Sequence, residues 1–191
     1  MKYRLSAALA LLPGLAMAAA PRFLPLHDTA ATYVLTLPGH AAQTVTLHYS
    51  AASQRARIDG EAGLAVLANL PAGRAQILVP ALHAAVRAPE FSTLATALRD
   101  ADQARFTPLG RGHYAGLNCE TYRINDPHGS GTACLTPDGV VLHFSGHDTH
   151  GSATLTAIRV SHPPQPASLF TLPAGYGQID LPPGALAAIL R

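Results

Sequence analysis

Apolar and polar residues alternate along the first half of the chain, a pattern typical of strands that bury one face. In TYVLTL the apolar side comprises positions 33, 35 and 37, and in TVTLHY it comprises positions 45, 47 and 49. Four further short segments, RARID, LAVLANL, QILVP and AAVR, follow with turn residues between them. The pattern predicts an antiparallel meander of about six strands of ordinary length.

The alternation stops in the segment APEFSTLATALRDADQA. Phe91, Leu94, Leu98 and Ala101 recur there at helical spacing, and Pro89 stands where a first helical residue is tolerated. The spacing predicts one amphipathic helix over residues 90 to 104.

Strand patterns then resume in YAGLNCETYRI, GTACLTP, VVLHFS and SATLTAIRVS. A tail rich in proline and glycine follows from about residue 162, and Phe170, Leu172, Tyr176 and Ile179 are its candidate anchors to the body. The expected fold is mainly β in the α+β class. It is a curved antiparallel sheet or half-open β-barrel of about 9–11 strands, with one helix against its concave face.

The first residues have the features of a cleavable signal peptide. Lys2 and Arg4 precede a short apolar run, and the small residues Ala16 and Ala18 form a cleavage pattern. We therefore expect a signal peptide over residues 1–18 and a single β-rich domain over residues 19–191, exported to the periplasm or secreted. The apolar run is too short to span a bilayer, so no integral membrane anchor is expected.

The charge balance argues against a polyanionic partner. The chain has 13 lysines and arginines against 11 acidic residues. Two of the basic residues precede the cleavage site, so the remaining chain is balanced. Because its arginines are scattered, neither nucleic acid nor an anionic membrane surface is an expected partner.

Cys119 and Cys134 are the only cysteines. In an oxidising compartment, a disulfide is the default state of such a pair. The residues between them read as strand, turn and strand, with the turn centred on Asp126 and Pro127. This register places the two cysteines opposite each other in a hairpin. No C-x-x-C spacing supports a redox-active alternative.

The segment HFSGHDTH concentrates candidate metal ligands at His143, His147, Asp148 and His150. One interpretation is a zinc or copper site. The other, which the pattern favours, is a strand VVLHFS that contains His143, followed by a solvated turn from Gly146 to Gly151. On a straight strand, positions 143 and 147 lie roughly 13 Å apart, too far to share one ion.

No catalytic constellation is present. The sequence contains no G-x-S-x-G, H-E-x-x-H or phosphate-binding glycine loop. Ser145, His147 and Asp148 are triad residue types, but neighbours on one turn do not supply a triad geometry. We therefore expect a non-enzymatic protein without a cofactor.

Three segments carry a resemblance to a known architecture: GLNC at 116–119, CLTPDG at 134–139 and LPAGY at 172–176. Together with the order of elements, they resemble a family of uncharacterised bacterial periplasmic proteins. That family is similar in architecture to the LolA/LolB lipoprotein carriers, whose half-open barrel is lidded by helices. The resemblance implies a periplasmic protein that binds a hydrophobic, lipid-like ligand or an envelope protein.

Candidate lining for such a ligand comes from the sheet and the helix: Leu35, Val45, Leu47, Leu94 and Leu98. The competing interpretation is that these side chains pack against one another as an ordinary core. A metal-binding protein that uses the histidine segment is the alternative function. The sequence makes no prediction about the ligand's identity or the oligomeric state.

Overall fold

The computed structural model describes residues 21–87, 105–126, 129–148 and 151–182. Twelve strands make up most of this part of the chain. They are β1 (Thr29–Thr36), β2 (Gln43–Ser50), β3 (Arg55–Asp59), β4 (Ala65–Asn69), β5 (Arg74–Val79), β6 (Ala84–Arg87), β7 (Arg105–Tyr114), β8 (Leu117–Asp126), β9 (Gly129–Leu135), β10 (Val141–Asp148), β11 (Gly151–Ser161) and β12 (Gly177–Asp180).

All twelve strands form one open sheet in the order β12-β6-β5-β4-β3-β2-β1-β11-β10-β9-β8-β7. Strands β1 to β6 form one antiparallel meander and β7 to β11 form a second. The two meanders join where β1 pairs with β11. Only β12 breaks the antiparallel pattern of the described strands, because it lies parallel to β6. The predicted curved antiparallel sheet is thus confirmed.

Two details of the predicted architecture differ. The sheet has twelve strands, whereas about ten were predicted. Strands β7 and β12 were missed because they carry no alternation of apolar and polar residues. The helix predicted over residues 90 to 104 lies outside the described residues, which contain only the short 3-10 turns Glu61–Gly63, Pro80–Leu82 and Ala167–Phe170. The prediction of one helix against the sheet is therefore not borne out. No helix in the described ranges is long and apolar enough to cross a membrane.

The N-terminal segment, residues 21–28, shows which face of the sheet is concave. Phe23 lies 6.0 Å from the ring of Phe106 in β7, while the next residue, Leu24, packs against the cluster around Tyr49 in β2. These two strands are six positions apart in the sheet, or about 29 Å if it were flat. The sheet must therefore curl around this segment. We call the face that carries Tyr33 and Tyr49 the inner face and the opposite one the outer face.

The C-terminal segment, residues 162–182, crosses the outer face. Phe170 is buried, and Leu172 and Tyr176 pack against a cluster of side chains on β4, β5 and β6. The Asp28 carboxylate joins both terminal segments to the sheet, since it accepts hydrogen bonds from the backbone N–H of Ala51 at 2.9 Å and of Gln165 at 2.8 Å. The predicted anchoring of the tail is confirmed for these side chains.

The predicted disulfide between Cys119 and Cys134 is confirmed, with the Cα atoms 5.4 Å apart. Its predicted register was wrong, because Cys134 faces Thr121 and the bridge runs diagonally across β8 and β9. Both cysteines are buried in the main apolar cluster with Leu142. The bridge therefore ties the second meander together within the core.

Candidate functional site

The inner face carries a continuous row of apolar side chains across eight strands. Opposed residues of neighbouring strands share a face, so the register alone defines this row. From one edge of the sheet to β11 it consists of Ile179, Val86, Ile77, Val66, Ile58, Leu47, Ala31 and Val160. We call this set the apolar row. Val86 and Ala31 are buried, Ile179 is 40% exposed, and the other members are half-buried.

The structure places the three predicted lining residues of the sheet together on this face. Leu47 belongs to the apolar row. Val45, two residues earlier on β2, faces Tyr33. Val45 and Leu47 both pack against the main cluster and remain half-buried. Leu35 faces Leu155 of β11 and is also half-buried. Leu94 and Leu98, the two predicted lining residues of the helix, lie outside the described residues.

Tyr33 is the polar group at the base of this apolar surface. Its side chain is 3% exposed, and its hydroxyl donates a 3.0 Å hydrogen bond to the carbonyl oxygen of Val141 in β10. Burial raises the pKa of Tyr33 to about 12, since the phenolate would be poorly solvated there. The hydroxyl is therefore neutral and satisfied, which leaves the surrounding surface apolar.

The histidine segment was expected to end in a solvated turn, and this part of the prediction was wrong. Strand β10 continues to Asp148 and β11 begins at Gly151, so His147 and Asp148 are strand residues. Small residues at Gly131, Gly146 and Ala153 let the three strands pair as far as the end of the hairpin.

The candidate metal ligands do not form a cluster. His143 and His147 lie on the outer face, four residues apart along a strand, and His150 is outside the described residues. No group of three potential ligands converges within the described ranges. The metal-binding alternative is unsupported, because extended backbone separates side chains that a metal site must bring within bonding distance.

The two described histidines of this segment have other contacts. His143 stacks on Tyr114 with ring centroids 4.7 Å apart, and its Nδ1 is 3.0 Å from the hydroxyl oxygen of Thr156. Burial lowers the pKa of His143, which favours the neutral ring. His147 lies beside a shallow polar groove on the outer face, with Nε2 3.4 Å from the Ser130 hydroxyl. These contacts describe ordinary polar packing on a sheet surface.

The sequence did not identify most of the apolar row. Ile58, Val66 and Ile77 were each recognised as strand residues, but their common line across the sheet depends on the register of the β3–β4 and β4–β5 hairpins. Alternation within each strand was the available signal. It gives the face of each residue and not its neighbour on the next strand.

Several solved structures share this architecture. A conserved protein of uncharacterised function from Thermus thermophilus has a TM-score of 0.58 at 11% identity, over 81% of this chain and 91% of that one. MucB has a TM-score of 0.52 at 18% identity, over 83% of this chain and 60% of that one. MucB in the Pseudomonas aeruginosa MucA/MucB complex has a TM-score of 0.51 at 15% identity, over 78% and 56%.

MucB has a LolA-like fold, and the likeness shows that this chain has the same fold. The architecture implied by the sequence resemblance is confirmed at this level. The chain spans less than two thirds of the MucB chains that it matches. No protein-family model matches the sequence, and no curated protein is significantly similar to it.

Proposed function

We propose that the protein is exported to the periplasm and binds a hydrophobic, lipid-like ligand on the inner face of its sheet. The observation that carries the proposal is the apolar row, which runs across eight strands of an open sheet and is covered only in part. A continuous apolar surface of this kind favours an apolar ligand, since each Å² removed from water contributes about 25 cal/mol.

The proposed contacts are those expected from the sequence. Leu35, Val45 and Leu47 provide the wall on β1 and β2, and Leu94 and Leu98 are proposed to face it from the segment between β6 and β7. Tyr33 closes the base of the surface without offering an unpaired polar group. A ligand with a long apolar portion fits this arrangement better than a compact polar one.

Export is the second part of the proposal. The signal peptide over residues 1–18 would be removed after Ala18, and the single domain over residues 19–191 would fold in an oxidising compartment where the Cys119–Cys134 disulfide forms. Expression with the full leader should give a periplasmic protein whose mass corresponds to a start at residue 19. Retention of the leader in the cytoplasm would contradict export.

Ligand binding is tested first by native mass spectrometry of the protein purified from the periplasm. We expect a population heavier than the protein alone by the mass of a lipid. Binding is then measured in solution with a dansylated fatty acid as the probe. The double variant Val45→Thr with Leu47→Asn places polar groups on the wall, and we expect the probe to bind at least tenfold more weakly.

Thr44→Val is the matched control. Thr44 precedes Val45 on β2 and faces Val34 on the outer face of the sheet, where it is exposed. The control should bind the probe as the unmodified protein does. No binding by the unmodified protein, or equal losses in the inner-face and outer-face variants, would refute the inner face as a ligand site.

A further inference from the structure

Strand β12 differs from every other described strand in how it joins the sheet. It is only four residues long, all four are exposed, and it adds to the edge of β6 in parallel orientation. Backbone hydrogen bonds at its two ends, from Gly177 N–H to the His83 carbonyl at 2.8 Å and from Leu181 N–H to the Arg87 carbonyl at 2.9 Å, bracket the pairing. It thus occupies the edge in the manner of an added peptide strand.

The residues before β12 are held independently of it. Gln165 is fixed by Asp28, Phe170 is buried, and Leu172 and Tyr176 pack against β4 to β6. Gly175, with a φ of 82°, and Gly177 flank the last anchored residue. Strand β12 can therefore leave the edge while the rest of the C-terminal segment stays in place.

Arg87 gives this edge a chemical preference. Its Nε atom is shielded from solvent and lies 2.7 Å from Oδ1 of Asp180, in an ion pair whose N–H is not aligned for a hydrogen bond. Its Nη2 donates a 2.9 Å hydrogen bond to Oδ2 of the same carboxylate. A strand without an acidic residue at this position would leave the shielded Nε without a counter-ion.

The neighbouring position has the opposite preference. Ile179 faces Val86 and extends the apolar row of the inner face to the edge of the sheet. The β6 edge therefore selects a bound strand at two successive positions. It favours an apolar residue toward the inner face and an acidic residue next to Arg87.

We propose that the β6 edge is a docking site for an extended segment of a partner protein that carries an apolar residue followed by Asp or Glu. Residues Gly177–Asp180 occupy this edge in the free protein and are displaced when the partner binds. The ion pair between Arg87 and the acidic residue of the partner replaces the one with Asp180. This site does not depend on a hydrophobic ligand on the inner face.

Residues Gly177–Asp180, which we call the cis strand, compete with the partner segment for the β6 edge. Because Gly177–Asp180 is tethered next to its site, its effective concentration is in the millimolar range, and a free peptide of equal affinity would bind weakly. Weakening the cis strand should therefore strengthen peptide binding. Asp180→Ala achieves this at a side chain that is 71% exposed, so the fold should be retained.

The test uses the full chain and a fluorescein-labelled peptide YGQIDLP, the sequence of residues 176–182, with fluorescence anisotropy as readout. We expect Asp180→Ala to bind the peptide about tenfold more tightly than the unmodified protein. A peptide with Asn in place of its Asp should bind Asp180→Ala about tenfold more weakly. Adding Arg87→Gln to that variant should abolish the preference for Asp over Asn.

Gln178→Ala is the control, because Gln178 is exposed and precedes Ile179 and Asp180, the two positions that determine selectivity. It should leave peptide affinity unchanged. Absence of binding to Asp180→Ala at millimolar peptide, or equal binding of the Asp and Asn peptides, would overturn the proposal. A concentration-dependent dimer of the unmodified protein in light scattering, formed by exchange of β12, would also overturn it in favour of a second copy as the occupant.

Discussion

Gly112 shows how one residue limits the packing of the core. It lies on β7 opposite Cys119, and a Cβ atom there would meet the Sγ of Cys134 at 2.6 Å and the Sγ of Cys119 at 3.3 Å. A disulfide has no freedom to move aside in the way that a long side chain has. The edge strand can therefore approach the bridge closely only because residue 112 has no side chain.

Gly112→Ala should lower the free energy of unfolding by about 1–3 kcal/mol, the usual cost of an added methyl group in a packed core. Urea denaturation followed by circular dichroism measures the change. Gly177→Ala is the control, since a Cβ at that position meets nothing within 4 Å. Equal stabilities of the two variants would show that β7 does not pack closely on the disulfide.

Tyr122 and Glu120 form a second local pair that can be tested by titration. The Tyr122 hydroxyl donates a 2.7 Å hydrogen bond to the Glu120 carboxylate, and this bond, with burial and the carboxylate charge, raises the pKa of Tyr122 to about 12. Glu120→Ala should lower that pKa toward 10, and Glu120→Gln, which keeps an acceptor, should lower it less. Difference absorbance at 295 nm records the shift.

The sign of the associated stability change follows from the direction of the shift. A tyrosine whose pKa is higher in the folded state contributes stability below pH 10, where both states are protonated. That contribution is lost as the pH rises from 10, where the unfolded chain ionises, to about 12, where Tyr33 and Tyr122 ionise in the folded protein. A titration of Tyr122 unchanged by Glu120→Ala would contradict the hydrogen bond.

At the scale of elements, the β8–β9 hairpin depends on the bridge between its strands. The disulfide closes a loop with a sequence separation of 15 residues, for which loop entropy predicts a contribution of about 3 kcal/mol. Cys119→Ala with Cys134→Ala should lower the free energy of unfolding by that amount or somewhat more, because it also removes buried atoms. The reduced unmodified protein, compared with the oxidised one in urea, isolates the cross-link.

Most strands could be predicted from the sequence, and the two that were missed share a physical cause. Strand β7 contains Pro108, Gly110 and Gly112, which suit an edge with a bulge and carry no apolar alternation. Strand β12 is polar except for Ile179 and is exposed along its length. Alternation reports burial of one face, so edge strands that lack such a face are not visible in it.

The errors in register have a related origin. The β8–β9 turn falls between Asp126 and Gly129, one residue later than the turn residues Asp126 and Pro127 indicated. The β10–β11 pairing extends past His147 to Asp148 because Gly131 and Gly146 allow close pairing. The disulfide prediction was correct despite the error in the β8–β9 register, since a shift of two keeps both cysteines on one face. The metal hypothesis is unsupported, because it needed a turn where β10 continues as a strand.

At the scale of the whole molecule, the two terminal segments hold a sheet whose edges do not meet. The N-terminal segment crosses the inner face between strands at opposite arms of the sheet, and the C-terminal segment crosses the outer face. Asp28 connects them, since its two carboxylate oxygens accept from Ala51 and from Gln165. The curvature that shapes the inner face therefore depends on contacts far apart in the sequence.

Asp28→Ala should remove both hydrogen bonds and lower the free energy of unfolding by about 2–4 kcal/mol, since each bond to a charged group contributes about 1.5–3 kcal/mol and part of the loss is offset by water. Asp28→Asn keeps one acceptor oxygen and should lose about half as much. Hydrogen exchange should accelerate at the Gln165 amide in the alanine variant, and the C-terminal segment should become sensitive to protease before the sheet does.

The order in which the C-terminal segment and the sheet lose protection shows whether Asp28 holds the terminal segments on the sheet or only stabilises the fold. If Asp28 joins the segments to the sheet, its loss should also weaken binding of the fatty-acid probe, because the inner face would lose its curvature while Val45 and Leu47 remain. Asp138→Ala is the comparison, since it removes carboxylate contacts to Thr136 and to His162 of the C-terminal segment, while the Asp138 backbone carbonyl still accepts from Leu26 N–H at 2.8 Å. Uniform loss of protection across the sheet in Asp28→Ala, with probe affinity unchanged, would mean that Asp28 stabilises the fold without shaping the inner face.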